Sequence, residues 1–186
     1  MQSYQTLEDS ALVRLAREEH AAYEELYRRH VTAIYRYCYA RVETVSDAED
    51  LTAQTFLAAL ESLSRYRQRG TFKAWLFRIA RNKCSDFYRG VYAAPPAVAD
   101  PDTAAETVAD TDADGPEAML LLREVLACVE RMLPSLSADR MEALRLRYWG
   151  DLSMRDVAKV MQRTEAAVKM LVSRAISDLR ERCVRE

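Results

Sequence analysis

Turn-forming residues are scarce in this chain of 186 residues, which contains only four glycines and five prolines. Because all-β folds need such residues at many tight turns, this scarcity disfavours them and favours helices. Hydrophobic residues make up 49% of the chain and charged residues 30%, a composition typical of globular proteins. The sequence therefore predicts an all-α protein with one large domain or two small ones.

Long apolar runs are also absent. No stretch approaches the roughly 20 apolar residues that a membrane span requires. The N-terminal segment MQSYQTLEDSALVRLAREEH lacks the basic and then apolar pattern of a signal peptide. We therefore expect a cytoplasmic protein that makes no contact with a membrane.

Residues that carry catalysis or hold metals are few and scattered. There are only two histidines, and no C-x-x-C pair occurs among the four cysteines, Cys38, Cys84, Cys128 and Cys183. We expect all four thiols to be buried as small hydrophobic groups in a reducing cytosol. Because the chain also lacks a phosphate-binding glycine loop and a catalytic triad, we expect no enzyme activity, no catalytic residue, no metal and no cofactor.

The net charge of −2 conceals an uneven distribution. No Lys or Arg lies between Gly90 and Leu122, whereas this stretch holds four of the five prolines and seven acids. Such a composition predicts an acidic flexible linker, placed at 91–117. It would join two mildly basic helical domains, 1–90 and 118–186.

The third predicted helix, SDAEDLTAQTFLAALESLSRY, has one apolar and one polar face. Ser46 and Glu49 are spaced as a capping box at its start. Its buried side is either Leu51, Thr55 and Ala58 or the neighbouring Phe56, Leu57 and Leu60. The opposite face carries Asp47, Glu49, Asp50 and Gln54, which a solvated surface would also explain.

The next helix is both aromatic and basic. Residues 65–89 carry a net charge of +7, and five aromatic residues lie between Gly70 and Gly90. One helical arc, predicted as core, contains Phe72, Trp75, Leu76, Ile79, Ala80 and Phe87. The remaining rings and cations suit single-stranded nucleic acid, because bases stack on aromatic faces while Lys and Arg bind phosphates. Arginine stems packed along an ordinary helix would explain the same pattern.

Residues 152–175, LSMRDVAKVMQRTEAAVKMLVSRA, have the pattern of a helix-turn-helix. Ser153 caps the first helix with Asp156 at the box position, and Thr164 caps the second. The inward positions are Val157, Ala158, Met161, Val168, Leu171 and Ala175. Gln162 stands where such turns usually have glycine.

Three segments, in this order, resemble the extracytoplasmic-function (ECF) sigma factors of the sigma-70 family. DAEDLTAQTFLAAL is similar to the polymerase-binding helix of region 2, and FKAWLFRIARNKCSDFYR to its −10 recognition and promoter-melting segment. The last segment, from LPSLSADR to DLRER, is similar to region 4. The resemblance implies a protein that binds core RNA polymerase, directs it to specific promoters and helps to melt the −10 region.

The resemblance also assigns residues to each surface. Asp47, Glu49, Asp50 and Gln54 would dock on the β′ clamp helices, although Ala53-Gln54 stands where the family usually has Gln-Glu. The melted −10 strand would meet Arg65, Tyr66, Arg67, Arg69, Lys73, Phe77, Arg78, Arg81, Asn82, Lys83, Tyr88 and Arg89. The double-stranded −35 element would meet Arg163, Thr164, Glu165, Ala166, Lys169, Met170, Ser173 and Arg174. The linker would thread toward the polymerase active site, with the β subunit as a further contact.

Two other functions account for part of the sequence. A one-component helix-turn-helix regulator acting without polymerase would explain residues 153–175 but leaves the polar face and the aromatic helix without a role. A helical adaptor that binds only proteins would leave the basic excess unexplained. Members of the ECF group are commonly held inactive by an anti-sigma factor, but the sequence identifies none.

Overall fold

The computed structural model describes residues 4–42, 44–67, 70–93 and 116–183. Within these ranges the chain is helical and forms no strand, which confirms the all-α prediction. The described residues form eight α-helices, in chain order α1 (Asp9–Leu15), α2 (His20–Tyr39), α3 (Val45–Ser62), α4 (Phe72–Ala93), α5 (Pro116–Met132), α6 (Ala138–Leu144), α7 (Met154–Met161) and α8 (Glu165–Cys183). A π-helical turn, Arg145–Trp149, continues α6. No described helix has the length and apolarity needed to cross a membrane.

The N-terminal domain consists of α1 to α4, with α3 packed between α2 and α4. The predicted core arc of α4 is buried at Phe72, Leu76 and Ala80, and half-buried at Trp75 and Ile79. Burying apolar surface contributes roughly 25 cal/mol per Å², so this arc holds α4 against its neighbours.

The start of α3 differs from the prediction. The N-cap is Thr44 and not Ser46, because the helix already includes Val45 and Ser46. Thr44 has an extended backbone, and its hydroxyl oxygen accepts from the Asp47 amide at 3.0 Å. Its hydroxyl also donates to the Asp47 carboxylate at 2.7 Å, so the cap pairs residues 44 and 47.

The buried side of α3 combines parts of both predicted alternatives. Leu51, Thr55 and Phe56 are buried, together with Ala59. Leu57, in contrast, is 58% exposed. The helix is therefore apolar on one side and carries a large apolar residue on the other.

The C-terminal domain consists of α5 to α8, and α7 and α8 form the predicted helix-turn-helix. The Ser153 hydroxyl accepts from the Asp156 amide at 3.1 Å, which confirms the predicted cap of α7. Val157, Val168 and Ala175 are buried as predicted, whereas Val172 is buried more completely than Leu171. Gln162 ends α7 in the left-handed conformation, with φ of 56°.

The cysteines behave in two ways. Cys38 and Cys84 are free and buried as predicted, with sulfur atoms 3.9 Å apart between α2 and α4. The prediction for the other pair is wrong, because Cys128 and Cys183 form a disulfide between α5 and the end of α8. Packing of α5 against α8 brings together two cysteines that are 55 positions apart in the sequence. The spacing of cysteines along the chain cannot reveal such a contact.

The two domains pack directly against each other through α4 and α7 and through α2 and the π-helical turn. Helix α4 continues to Ala93 and α5 begins at Pro116. The rest of the linker predicted at 91–117 lies outside the described residues. Its path toward the polymerase active site therefore stays a prediction.

Candidate polymerase and nucleic-acid interfaces

The polar face of α3 is open to solvent at three of its four predicted positions. Glu49, Asp50 and Gln54 are exposed. Asp47 is half-buried, and its carboxylate accepts the hydrogen bond from Thr44, so it helps to begin the helix as well as to charge its surface. The structure therefore places a compact, acidic and amide-bearing surface on α3.

Apolar side chains border this polar face, which the sequence did not indicate. Leu57 lies on α3, and Tyr27 of α2 is 44% exposed while its ring packs at 4.6 Å from that of Phe56. A shallow groove of about 320 Å³ runs between the two helices beside Glu49 and Ala53. Large exposed apolar residues next to a groove are typical of protein-binding surfaces.

A second cavity, of about 260 Å³, lies at the start of α4. Its walls come from the turn before the helix, from one face of α4 and from α7: Tyr66, Arg67, Gly70, Thr71, Ala74, Trp75, Arg78 and Lys159. Two arginines, a lysine and two aromatic rings surround it, so it can accommodate a flat, electron-rich group next to an anion. Asn82 is exposed one turn beyond Arg78 on the same helix.

The aromatic wall of this cavity belongs to a cluster of packed rings. Tyr66, Phe72 and Trp75 form a cluster, with ring centroids 4.6 Å apart for Tyr66 and Trp75 and 5.5 Å for Phe72 and Trp75. Tyr66, which was predicted to meet the melted −10 strand, is only 7% exposed and shows the cavity only part of its ring. Trp75, which the helical arc had placed in the core, is half-buried and lines the cavity. The only sequence signal for this placement of Trp75 is that it lies close to the turn that precedes α4.

The expectation of an exposed Phe77 is also wrong. The side chain is fully buried, because the ring packs edge-to-face on Tyr37 at 5.3 Å and lies against the C-terminal domain. A Cβ atom at Gly150 would stand 2.5 Å from Phe77 Cε1, so only glycine permits this approach. The covering surface comes from distant residues, which a helical projection of α4 cannot include.

The remaining predicted −10 residues fall into three groups. Arg65, Arg67, Arg78, Asn82 and Arg89 are exposed, and Arg89 pairs with Asp86. Lys73, Arg81, Lys83 and Tyr88 are half-buried. Arg69 lies outside the described residues.

The front of α8 is exposed at all of the predicted −35 positions that it carries. The Thr164 hydroxyl accepts from the Ala167 amide at 3.2 Å and so begins the helix. Glu165 and Lys169 form an ion pair at 2.8 Å, and this hydrogen bond and charge hold the pKa of Glu165 below its usual value. Ala166, Met170, Ser173 and Arg174 are exposed beside them. Arg163 pairs with Asp139 at 2.6 Å.

Among the residues that the structure describes, no group of three His, Cys, Asp or Glu side chains is placed to hold a metal ion.

Comparison with known proteins matches both domains. The family described as Sigma-70 region 2 matches residues 26–91, and the family described as Sigma-70, region 4 matches residues 126–179.

The sequences of named relatives align with most of this chain. The ECF RNA polymerase sigma factor BldN of Streptomyces coelicolor is 33% identical over 85% of this chain, which spans only 59% of BldN. The ECF RNA polymerase sigma factor SigD of Mycobacterium tuberculosis is 34% identical, with 81% of this chain and 72% of SigD covered. The RNA polymerase sigma-H factor of Pseudomonas aeruginosa is 30% identical, with 90% of each chain covered.

Solved structures show the same fold. CnrH, solved in complex with the cytosolic domain of CnrY, superposes with a TM-score of 0.64 at 24% identity, covering 92% of this chain and 94% of CnrH. With both domains matched in order and relatives aligned over most of their length, the chain belongs to the ECF RNA polymerase sigma factors of the sigma-70 family.

Proposed function

We propose that this sigma factor binds core RNA polymerase through the exposed face of α3, recognises the −35 element with α8 and captures the melted −10 strand beside α4. The proposed domains are residues 1–90 and 118–186, joined by the acidic linker 91–117. The chain would act in the cytoplasm as a specificity subunit without catalysis of its own.

Polymerase docking is assigned to Asp50 and Gln54, with Glu49 beside them and Asp47 at the start of the helix. The support is their exposure on a helix whose opposite side is buried. Leu57 and Tyr27 would add apolar contact at the edge of this surface, since interfaces combine a hydrophobic centre with a polar rim. The β′ clamp helices and the β subunit are the proposed partners. An anti-sigma factor as a further partner stays a prediction from the family resemblance.

Capture of the −10 strand is carried by one observation, the cavity lined by Trp75, Tyr66, Arg67 and Arg78. A base that leaves the helical stack loses a few kcal/mol of stacking and pairing. Contact with an aromatic wall returns about 1–3 kcal/mol per base, and the arginines would hold the neighbouring phosphates. Binding free energy can therefore favour strand opening without nucleotide hydrolysis.

Double-stranded recognition is assigned to the front of α8. Glu165, Lys169 and Met170 would face the major groove, with Thr164 and Ala166 at the helix start. Arg163, Ser173 and Arg174 would bind phosphates and fix the position of the helix. All of these residues are exposed.

Asn82→Ala tests the capture of the opened strand. On a duplex promoter selected by transcription in vitro from a library, the variant with core polymerase should form fewer open complexes than wild type. On the same promoter with its −10 region already unpaired, the defect should be smaller, because the cost of unstacking is removed. Gln5→Ala, which truncates an exposed amide outside α4, is the matched control and should behave as wild type. Equal defects of Asn82→Ala on both templates would contradict a role in capture.

A further inference from the structure

A segment that precedes the family match lies behind the cavity at the start of α4. The region 2 family matches residues 26–91, whereas α1 and the turn after it occupy residues 9–18. Arg17 lies in this turn and reaches the wall of the cavity. Its Nη2 donates to the backbone carbonyl of Tyr66 at 2.9 Å, a half-buried hydrogen bond across 49 positions of the sequence. The N-terminal segment therefore contacts the part of the chain that forms the cavity.

This hydrogen bond holds the peptide that joins two residues of the cavity wall, Tyr66 and Arg67. Because a peptide unit is planar, a donor that fixes the Tyr66 carbonyl also fixes the direction in which the chain continues to Arg67. Arg67 is exposed, so packing contributes little to its placement. The direction of its backbone therefore decides whether its guanidinium lies beside the cavity.

The ring of Tyr66 depends on the same peptide. Its centroid lies 4.6 Å from that of Trp75, and its hydroxyl donates to the Gly70 carbonyl at 3.3 Å. Burial raises the pKa of Tyr66, so the hydroxyl stays protonated and can donate. A fixed Tyr66 carbonyl therefore also keeps this ring against Trp75, on the aromatic side of the cavity.

The segment that carries Arg17 is itself anchored to α2. Arg29 Nη1 donates to Asp9 Oδ1 at 3.1 Å, and Asp9 Oδ2 lies 2.6 Å from His30 Nε2. The His30 ring packs at 5.6 Å from Phe72, the first residue of α4. Helices α1 and α4 thus meet the same part of α2, and Arg17 reaches Tyr66 from a fixed base.

We propose that Arg17 is a positioning residue for capture of the melted −10 strand: it holds the peptide between Tyr66 and Arg67 in the orientation in which both side chains line the cavity. This inference rests on the proposed assignment of that cavity to the strand. Arg17 acts through its hydrogen bond and not by contact with DNA. A cavity wall that is ordered before the strand arrives binds more tightly, because the entropy of ordering it no longer opposes binding.

The direct test is a double-mutant cycle on the full chain with core polymerase. The ligand is a fluorescein-labelled promoter, selected by transcription in vitro and supplied with its −10 region unpaired, so that binding requires no strand opening. Arg17→Ala should weaken binding by about 3- to 10-fold, the effect of losing one hydrogen bond. In an Arg67→Ala background the same substitution should weaken it by about 2-fold or less, because residues that act through one another are not additive. Equal losses in both backgrounds would overturn the positioning role.

Arg14→Ala is the matched control for this cycle. It truncates an exposed arginine of the same segment, one helical turn before Arg17. The variant should bind the unpaired promoter as tightly as wild type. A loss equal to that of Arg17→Ala would show that the basic charge of the segment matters and not the hydrogen bond to Tyr66, and would overturn the inference.

Fluorescence of Trp75 gives a measurement that a merely structural role of Arg17 would not change. Trp149→Phe leaves Trp75 as the one tryptophan of the chain. In this background Arg17→Ala should increase acrylamide quenching of the folded protein, because the Tyr66 ring no longer stays against Trp75. Arg14→Ala should leave quenching unchanged. Equal quenching with and without Arg17 would contradict positioning of the cavity wall.

Arg67→Ala separates failure of the inference from failure of the proposed function. If this variant binds the unpaired promoter as tightly as wild type, the assignment of the cavity to the −10 strand is contradicted, and the role of Arg17 is contradicted with it. If Arg67→Ala binds weakly while Arg17→Ala binds as wild type does, the assignment of the cavity stands and the positioning role alone is overturned.

Discussion

At the scale of single residues, Glu165 and Lys169 on the recognition helix have two roles. They form an ion pair with each other, and both are proposed to contact the −35 element. Their ion pair at 2.8 Å spans one helical turn and holds both side chains at the exposed front. Exposed pairs of this kind add only about 0.3–0.5 kcal/mol to stability, so their placement points to binding more than to folding.

Glu165→Ala should relax sequence preference at one −35 position. A carboxylate can accept from a cytosine amino group, and a specific base contact contributes about 1–3 kcal/mol of discrimination. Arg174→Ala is the matched comparison, because losing a phosphate contact should weaken all promoters alike and lower the salt slope by about 0.9. Selection from a randomised −35 library with each holoenzyme measures both effects. Identical preferences of wild type and Glu165→Ala would rule out direct recognition by this residue.

Single-residue roles on α4 were only partly predictable from sequence. Helical periodicity correctly placed Phe72, Leu76 and Ala80 in the core. It could not show that Phe77 is covered by another domain or that Trp75 lines a cavity, because both facts depend on residues far away in the chain. The exposed cations were predicted more successfully, since long charged side chains are rarely buried without partners.

At the scale of elements, the turn between α7 and α8 carries a local strain. Gln162 has φ of 56°, a conformation that costs an L-residue roughly 1–2 kcal/mol and that glycine adopts freely. Residues 162–164 nevertheless connect the two helices, because buried side chains on both fix their arrangement.

Gln162→Gly should raise the free energy of unfolding by about 0.5–1 kcal/mol, the relief of strain less the added entropy of the unfolded chain. Gln162→Ala is the control, because alanine keeps the unfavourable conformation and should give no such gain. Urea denaturation of the three proteins measures the difference. Equal stability of the glycine and alanine variants would show that the turn is not strained.

The disulfide between Cys128 and Cys183 should stabilise the packing of α5 on α8. Closing a loop of 55 residues stabilises the folded state by up to about 4 kcal/mol in the chain-entropy description. A reductant should therefore lower the free energy of unfolding of wild type. The double variant Cys128→Ser/Cys183→Ser should be less stable and insensitive to reductant. A wild-type stability that reductant leaves unchanged would contradict a stabilising bond.

At the scale of the whole molecule, sequence order predicted the two domains but not their contact. Capping residues, helical periodicity and the helix-turn-helix spacing all act over short distances along the chain, so they were visible in the sequence. The hydrogen bond from Tyr37 to Glu142 joins residues 105 positions apart. Neither residue lies in a local sequence pattern that indicates its partner, and the same is true of Cys128 and Cys183.

The most direct test of the assigned function is the affinity of Asp50→Ala/Gln54→Ala for core RNA polymerase. Both residues are exposed, so the variant should keep its fold with a change in stability within about 0.5 kcal/mol for each residue. If the pair forms a central contact worth at least about 2 kcal/mol, binding should weaken by about 30-fold. Glu18→Ala, which removes an exposed acid outside α3, should bind as wild type does. Normal core binding by the double variant would show that this face is only a solvated surface and would contradict the assignment.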